Sequence, residues 1–250
     1  MSQINNTKTI FISAFHVLAS RNILATDILD FLSKDKRLHI VVFVPLYKAE
    51  YLKHCYGRPN VKIIGFLENE INGPLLKLFS WLNFFSLNSN AISLRLRERI
   101  EGRLYVHNIF EYLLANSLWF FGSFLFWKKT LRFFDKFLVQ PALLDHYFNK
   151  YQPDCVIASD VFYNADVYFL KTAKRQRIFS IGMVRSWDNT TTKGLMRVIP
   201  DKLIVNNEIV KKEAINLHGV QEDKIFVAGI PQLDWAFTKP RLSRIEFCRK

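Results

Sequence analysis

The chain alternates short, unbroken apolar runs with segments whose apolar residues recur every three or four positions. Residues 9–14 (TIFISA) and 39–44 (HIVVFV) are continuous runs, the second stopped by Pro45. Between them, residues 22–33 place Ile23, Leu24, Ile28, Leu29, Phe31 and Leu32 at helical spacing. The pattern predicts a βαβ unit, and strands apolar throughout predict a parallel sheet covered on both faces. A short helix over 48–55 and a third strand over 61–66 (VKIIGF) follow. From about 71 to 150 the pattern is helical and aromatic with no strand, which predicts a long insertion whose last helix falls near 141–149. The alternation then resumes, with strands expected at 155–159, 178–184, 202–205 and 224–228 and helices at 165–174 and 208–218. Gly219 suits the left-handed C-cap of the last helix. The expected fold class is α/β, a doubly wound parallel, Rossmann-like sheet carrying a long helical insertion.

In such sheets ligands bind outside the carboxyl ends of the strands, so the residues just past each strand are the first candidates. After the first strand comes SAFHVLASRN, which lacks the glycines of a dinucleotide fingerprint and holds His16, Arg21 and Asn22. A histidine there has the proton affinity of a general base toward a hydroxyl; the plainer reading is a surface or capping residue. Asp160 follows the fourth strand, with Tyr163, Asn164 and Asp166 behind it. It suits a ligand hydroxyl and, equally, the cap of the next helix. The densest polar cluster follows the fifth strand: Arg185, Ser186, Trp187, Asp188, Asn189, three threonines and Lys193. A Trp face stacks on a sugar, Asp and Asn hold hydroxyls, and Arg and Lys hold phosphate. Asn206 and Asn207 after the sixth strand read as helix caps.

Composition narrows the classes. Half of the 250 residues are hydrophobic and 15% aromatic, which excludes a disordered chain, while 9 glycines argue against a glycine-rich repeat. Cys55, Cys155 and Cys248 are odd in number, widely spaced and without metal-ligand spacing, so a reducing compartment, no disulfide framework and no metal are expected, with Cys155 a small core residue. The N-terminus lacks the basic region and longer apolar stretch of a signal peptide, so a cytoplasmic protein is expected. The net charge of +13 permits nucleic acid, but no nucleic-acid-binding motif accompanies it and no such partner is expected.

Charge and aromatics together say more. Residues 113–127 (LLANSLWFFGSFLFW) form a 15-residue apolar stretch closed by Lys128 and Lys129, shorter than the roughly 20 residues of a spanning helix. Aromatics beside Lys and Arg on helical segments suit the headgroup level of an anionic membrane surface. The alternative is core-facing helices with snorkelling cations.

Three segments, VRSWDNTTTKG, RVIPDKLIVNNEIVKKEAINLHGV and KIFVAGIPQLDW, resemble the acceptor-side half of a bacterial family of GT-B-fold glycosyltransferases of surface polysaccharide synthesis. They are more distantly similar to the CDP-glycerol glycerophosphotransferases of teichoic acid synthesis. The resemblance covers about 154–235, with support from FISAFHVLASRNIL near the start, and nothing in 70–150 matches. It implies the N-terminal half of a GT-B fold: residues 1–238 as a Rossmann-like acceptor domain and 239–250 as the start of a linker to a donor domain or second chain that this sequence lacks. It implies a nucleotide-sugar donor, a glycan or lipid-linked acceptor, and no metal or other cofactor. Under it, His16 or Asp188 is the base; Trp187 and Asn189 are acceptor contacts; Arg185 and Lys193 take anionic groups; and Arg21, Asn22 and Asp160 complete the substrate-binding set. A nucleotide-sugar epimerase, a glycerophosphotransferase or a non-catalytic membrane-binding remnant are the other readings.

Overall fold

The computed structural model of the chain describes residues 7–16, 22–100, 109–139, 142–231, 233–234 and 243–249. Seven strands make one parallel sheet in the order β3-β2-β1-β4-β5-β6-β7: β1 Lys8–Ser13, β2 Leu38–Pro45, β3 Val61–Phe66, β4 Cys155–Ala158, β5 Phe179–Met183, β6 Lys202–Val205 and β7 Ile225–Val227. The order reverses direction between β1 and β4, which register Phe11 against Val156 and Ile12 against Ile157. The fold is therefore the doubly wound, Rossmann-like α/β sheet that the apolar runs predict.

Strand alternation explains why those runs are apolar throughout. Phe11 of β1 and Val41 and Phe43 of β2 enter one core with Phe148 and Phe169, whereas Ile12, Ile40, Val42 and Val44 enter the opposite core with Ile23, Leu29 and Leu52. Both faces are covered, so both sides of the central strands are mostly apolar. The first core is built of edge-on aromatic pairs, Phe11 lying 4.9 Å from Phe43 and 5.1 Å from Phe148 between ring centroids.

Helices α1 (Asp27–Lys34) and α2 (Ala49–Tyr56) link the first three strands. The predicted helix over 22–33 is interrupted: residues 22–23 are helical, and α1 begins afresh at Asp27 behind Thr26, whose hydroxyl donates to the Asn22 carbonyl at 2.9 Å. The insertion comprises α3 (Pro74–Phe85), α4 (Asn90–Ile100), α5 (Ile109–Phe121), α6 (Leu125–Leu138) and α7 (Asp145–Tyr151). Then come α8 (Asn164–Arg175), a single turn α9 (Asn189–Thr192), α10 (Glu208–His218) and α11 (Arg244–Cys248). Gly219 ends α10 in the left-handed region at φ 68°, and Asn207 caps its start by accepting from the Val210 N–H at 2.9 Å.

The apolar stretch at 113–127 is not one element. The chain turns by 113° between α5 and α6, and Gly122 fixes the elbow because a Cβ there would lie 2.1 Å from the Ser86 carbonyl oxygen. Among the described residues no single helix is long and apolar enough to cross a membrane. The cations of α6 divide. Lys129 and Lys136 are exposed, but Lys128 is buried and reaches the Asn216 carbonyl at 3.4 Å. Arg132 donates to the carbonyls of Met196 at 2.8 Å and His218 at 2.7 Å. Both inward cations thus meet the last turn of α10, where its carbonyls and dipole favour positive charge. They point into the protein instead of snorkelling to solvent, and burial pushes the Arg132 guanidinium down to about 10. Cys155 is half-buried rather than fully in the core, and burial raises its thiol to about 11, which leaves it unreactive.

Candidate functional site

The carboxyl edge of the sheet carries a cavity of about 430 Å³ beside the point where the strand order reverses. His16 stands just past β1, Asp160 two residues past β4, and Arg185 two residues past β5; Lys193 enters from the far end of α9. Glu68 from the 3-10 turn after β3 and Tyr163 and Asn164 at the start of α8 complete the polar wall. Parallel strands ending at one edge bring together residues separated by more than a hundred positions.

Asp160 is almost completely buried. One carboxylate oxygen accepts from the Phe162 N–H at 2.9 Å and the other lies 3.2 Å from Arg185 Nε. The cap of α8 is Tyr163, so Asp160 closes a tight turn and holds Arg185 instead of capping the helix. Burial raises its pKa and the Arg185 guanidinium opposes that rise. Tyr163 donates to the Glu68 carboxylate, and burial and that acceptor together raise its phenol. The His16 ring packs edge-on to Tyr163 at 6.0 Å. Burial lowers its pKa below 6.5, and the positive charges of Arg185, Lys193 and Lys48 lower it further. At neutral pH His16 is therefore an uncharged imidazole beside two cations, the state in which it can accept a proton.

Beneath this wall lies Asp166, fully buried in the first turn of α8. Its Oδ1 accepts from the Ser13 hydroxyl and from the Ser159 N–H and hydroxyl, both at 3.2 Å, which ties the ends of β1 and β4 together. Burial and the neighbouring Asp160 push its carboxyl well above the usual range.

Of the residues singled out from the sequence, His16, Asp160, Arg185 and Lys193 meet at the cavity, with Tyr163 and Asn164 beside them. Among the described residues, the other candidates do not line it. Asp188 starts α9, accepts from the Ser186 hydroxyl at 2.5 Å, and takes the Thr191 and Thr192 N–H groups on its carbonyl at 3.1 Å. Trp187 is 69% exposed and points outward. Asn189 and Asn22 are buried, away from the cavity lining, each with one amide atom that has no hydrogen-bond partner among the described residues. Arg21 lies outside the described residues. Glu68 was missed, although the strand-end rule applied to the third strand points straight at it.

The loop holding Arg185 and Lys193 is fixed by His218 from α10. Its Nδ1 accepts from the Met196 N–H at 3.0 Å, so Nε2 carries the proton and donates to the Thr190 carbonyl at 2.8 Å. Full burial drives its pKa down to about 3, keeping it neutral.

No protein-family model matches the sequence, and no curated protein matches it. Among solved structures the chain is similar to the crystal structure of Medicago truncatula UGT71G1 complexed with UDP-glucose, at 14% identity and a TM-score of 0.41. That alignment takes in 98% of this chain and 56% of the other, so the present chain spans little more than half the length of that protein.

Proposed function

We propose that the cavity is the acceptor-side site of a glycosyltransferase that moves a sugar from a nucleotide-sugar donor to a glycan or lipid-linked hydroxyl. The observation that carries this reading is the convergence of an uncharged His16 with Asp160, Arg185 and Lys193 at the switch point of a doubly wound sheet. The resemblance of 154–235 to the acceptor half of GT-B glycosyltransferases supports it.

In the reaction, His16 takes the proton of the acceptor hydroxyl as its oxygen bonds to the anomeric carbon of the donor, and the bond from that carbon to the diphosphate breaks. Arg185 and Lys193 offset the charge that grows on the leaving phosphate or hold an anionic acceptor group. Asp160 keeps the Arg185 head in place. A second domain or chain holds the nucleotide. In this proposal Asp188 orders the loop, and His16 alone is the base.

The test uses the wild-type chain with its cellular donor partner and membrane-derived acceptors, and follows nucleotide release from nucleotide sugars. Replacing His16 with Gln is expected to lower kcat by about a hundredfold or more with KM nearly unchanged. Because the His16 pKa lies below 6.5, kcat/KM of the wild type should fall only as pH drops through that lower value, and the variant should lose this limb. Unchanged turnover in the variant removes His16 from the role. Release of CMP from CDP-glycerol, in place of a nucleoside diphosphate from nucleotide sugars, would assign glycerophosphate transfer to the same site. Conversion of the sugar without acceptor would assign epimerisation.

A further inference from the structure

The α5–α6 elbow presents apolar side chains to the outside. Phe120, Phe121, Phe124, Leu125 and Phe126 occupy five of seven successive positions, and each is about half exposed or more, Phe126 reaching 79%. Three of the rings cluster: Phe120 lies 5.7 Å from both Phe121 and Phe124, and Phe121 lies 5.8 Å from Trp127, which packs on the core beneath. The outer face of α6 continues the patch through Phe133 and Phe137, whose rings are 4.6 Å apart. Apolar surface this continuous marks an interaction site.

We infer that this elbow docks on the surface of an anionic lipid bilayer, lying in the interface without spanning it. Four observations select that occupant. Helices of 13 and 14 residues are each about 20 Å long, against the roughly 30 Å of a hydrocarbon core, and the 113° turn keeps them from adding end to end. The charges that α6 shows outward are Lys129 and Lys136, while its one carboxylate, Asp135, is buried, so the face is apolar and cationic in a chain of net charge +13. A second copy packed through this face would bring four of these lysines into one interface, with no outward carboxylate on α6 to pair them. Finally, the polar side chains near the elbow donate to their own helices: Asn116 to the Tyr112 carbonyl at 2.9 Å, Ser117 to Leu113 at 2.9 Å and Ser123 to Phe120 at 2.8 Å. The two serine hydroxyls thereby enter an apolar medium with their donors met, and the Asn116 amide keeps one of its two N–H groups bonded.

The inference is independent of the reading of the cavity. It is tested on the full chain by co-sedimentation with vesicles of phosphatidylcholine alone and of phosphatidylcholine with phosphatidylglycerol. Wild type should pellet with the anionic vesicles and only weakly with the neutral ones, and added salt should weaken the difference. Phe124→Asp/Phe126→Asp is expected to lower binding to anionic vesicles more than about tenfold. Lys129→Ala/Lys136→Ala should lower it by about thirtyfold while leaving weak binding to neutral vesicles unchanged. Both pairs are exposed, so circular dichroism should show native helix content in each variant. Equal binding to both vesicle types, or binding that survives the Phe124/Phe126 exchange, would overturn the inference. So would a wild-type dimer that ignores vesicles and is split by that exchange, which would give the face to a second copy. His16→Gln should bind vesicles as wild type does, which separates this result from the fate of the cavity proposal.

Discussion

Phe169 and Phe126 sit in helices of 12 and 14 residues, yet one is fully buried among Phe11, Phe43 and Phe148 and the other is the most exposed large aromatic of α6. Charge shows the opposite distribution. Around the sheet most ionisable groups gather at the carboxyl edge and at the surface, Lys171 of α8 being a buried exception. In α6 three of them face inward at 128, 132 and 135, one helical face, and bind the rest of the molecule. The sheet leaves the chain little choice, since both faces are covered and inward positions are apolar except where a partner waits, as Asp166 does for Ser13. A helix on the outside of that sheet can turn either stripe inward, provided each polar group finds a partner. Here the partners are the carbonyl end of α10 and a buried ionic cluster.

That cluster is where the contrast can be broken with the largest effect. Asp135 accepts two hydrogen bonds from Arg197, at 2.8 and 2.7 Å, and one from Lys171 at 2.7 Å, joining α6 to α8 and to the loop after α9. Arg197 also donates to Ser80 of α3 and Asn164 of α8, both at 3.2 Å. Replacing Asp135 with Ala leaves two buried cations without their counter-charge and is expected to cost about 3–5 kcal/mol, read as a lower urea midpoint. A loss below about 1 kcal/mol would mean that apolar contacts, not the ionic cluster, attach the insertion to the sheet.

The same contrast decides what could be read from the sequence. Strands 61–66 and 202–205 and helix 208–218 stand where the apolar pattern puts them, because a doubly covered sheet translates hydrophobicity directly into burial. The elbow was invisible: the run at 113–127 reads as one stretch, and the reason for its break is the Ser86 carbonyl pressed against Gly122, a contact between distant segments. In the site, the strand-end rule finds His16, Asp160 and Arg185 because parallel strands end at one edge. It misleads over 186–189, where neighbours in sequence leave a single turn in different directions, Trp187 outward and Asn189 inward. Adjacency along a turn is not convergence in space.

A smaller effect probes the joint between the two regions. His218 is held neutral, with its folded pKa at about 3, while the unfolded chain protonates near 6.5. Between these values the unfolded state binds the extra proton, so stability is complete above about pH 6.5 and falls as pH drops toward 3. The expected loss from this group is roughly 2 kcal/mol between pH 6.5 and 5. Urea unfolding across that range should show a slope that His218→Gln, which has nothing to titrate, reduces by one proton. An unchanged slope would mean that His218 is not held neutral between Met196 and Thr190.

The smallest effect is the sharpest comparison. Phe169→Ala empties a closed aromatic core and should cost about 3–5 kcal/mol, whereas Phe126→Ser changes a ring that faces away from the protein and should stay within about 0.5 kcal/mol in solution. Both are read from urea midpoints on lipid-free protein. A substantial loss for Phe126→Ser would mean that the outer face of α6 is covered by this chain itself, and the contrast between sheet and insertion would disappear. A near-zero loss leaves an aromatic that does nothing for folding in water, and such a residue at an apolar, lysine-bearing elbow has its energetic role only when the elbow meets another phase.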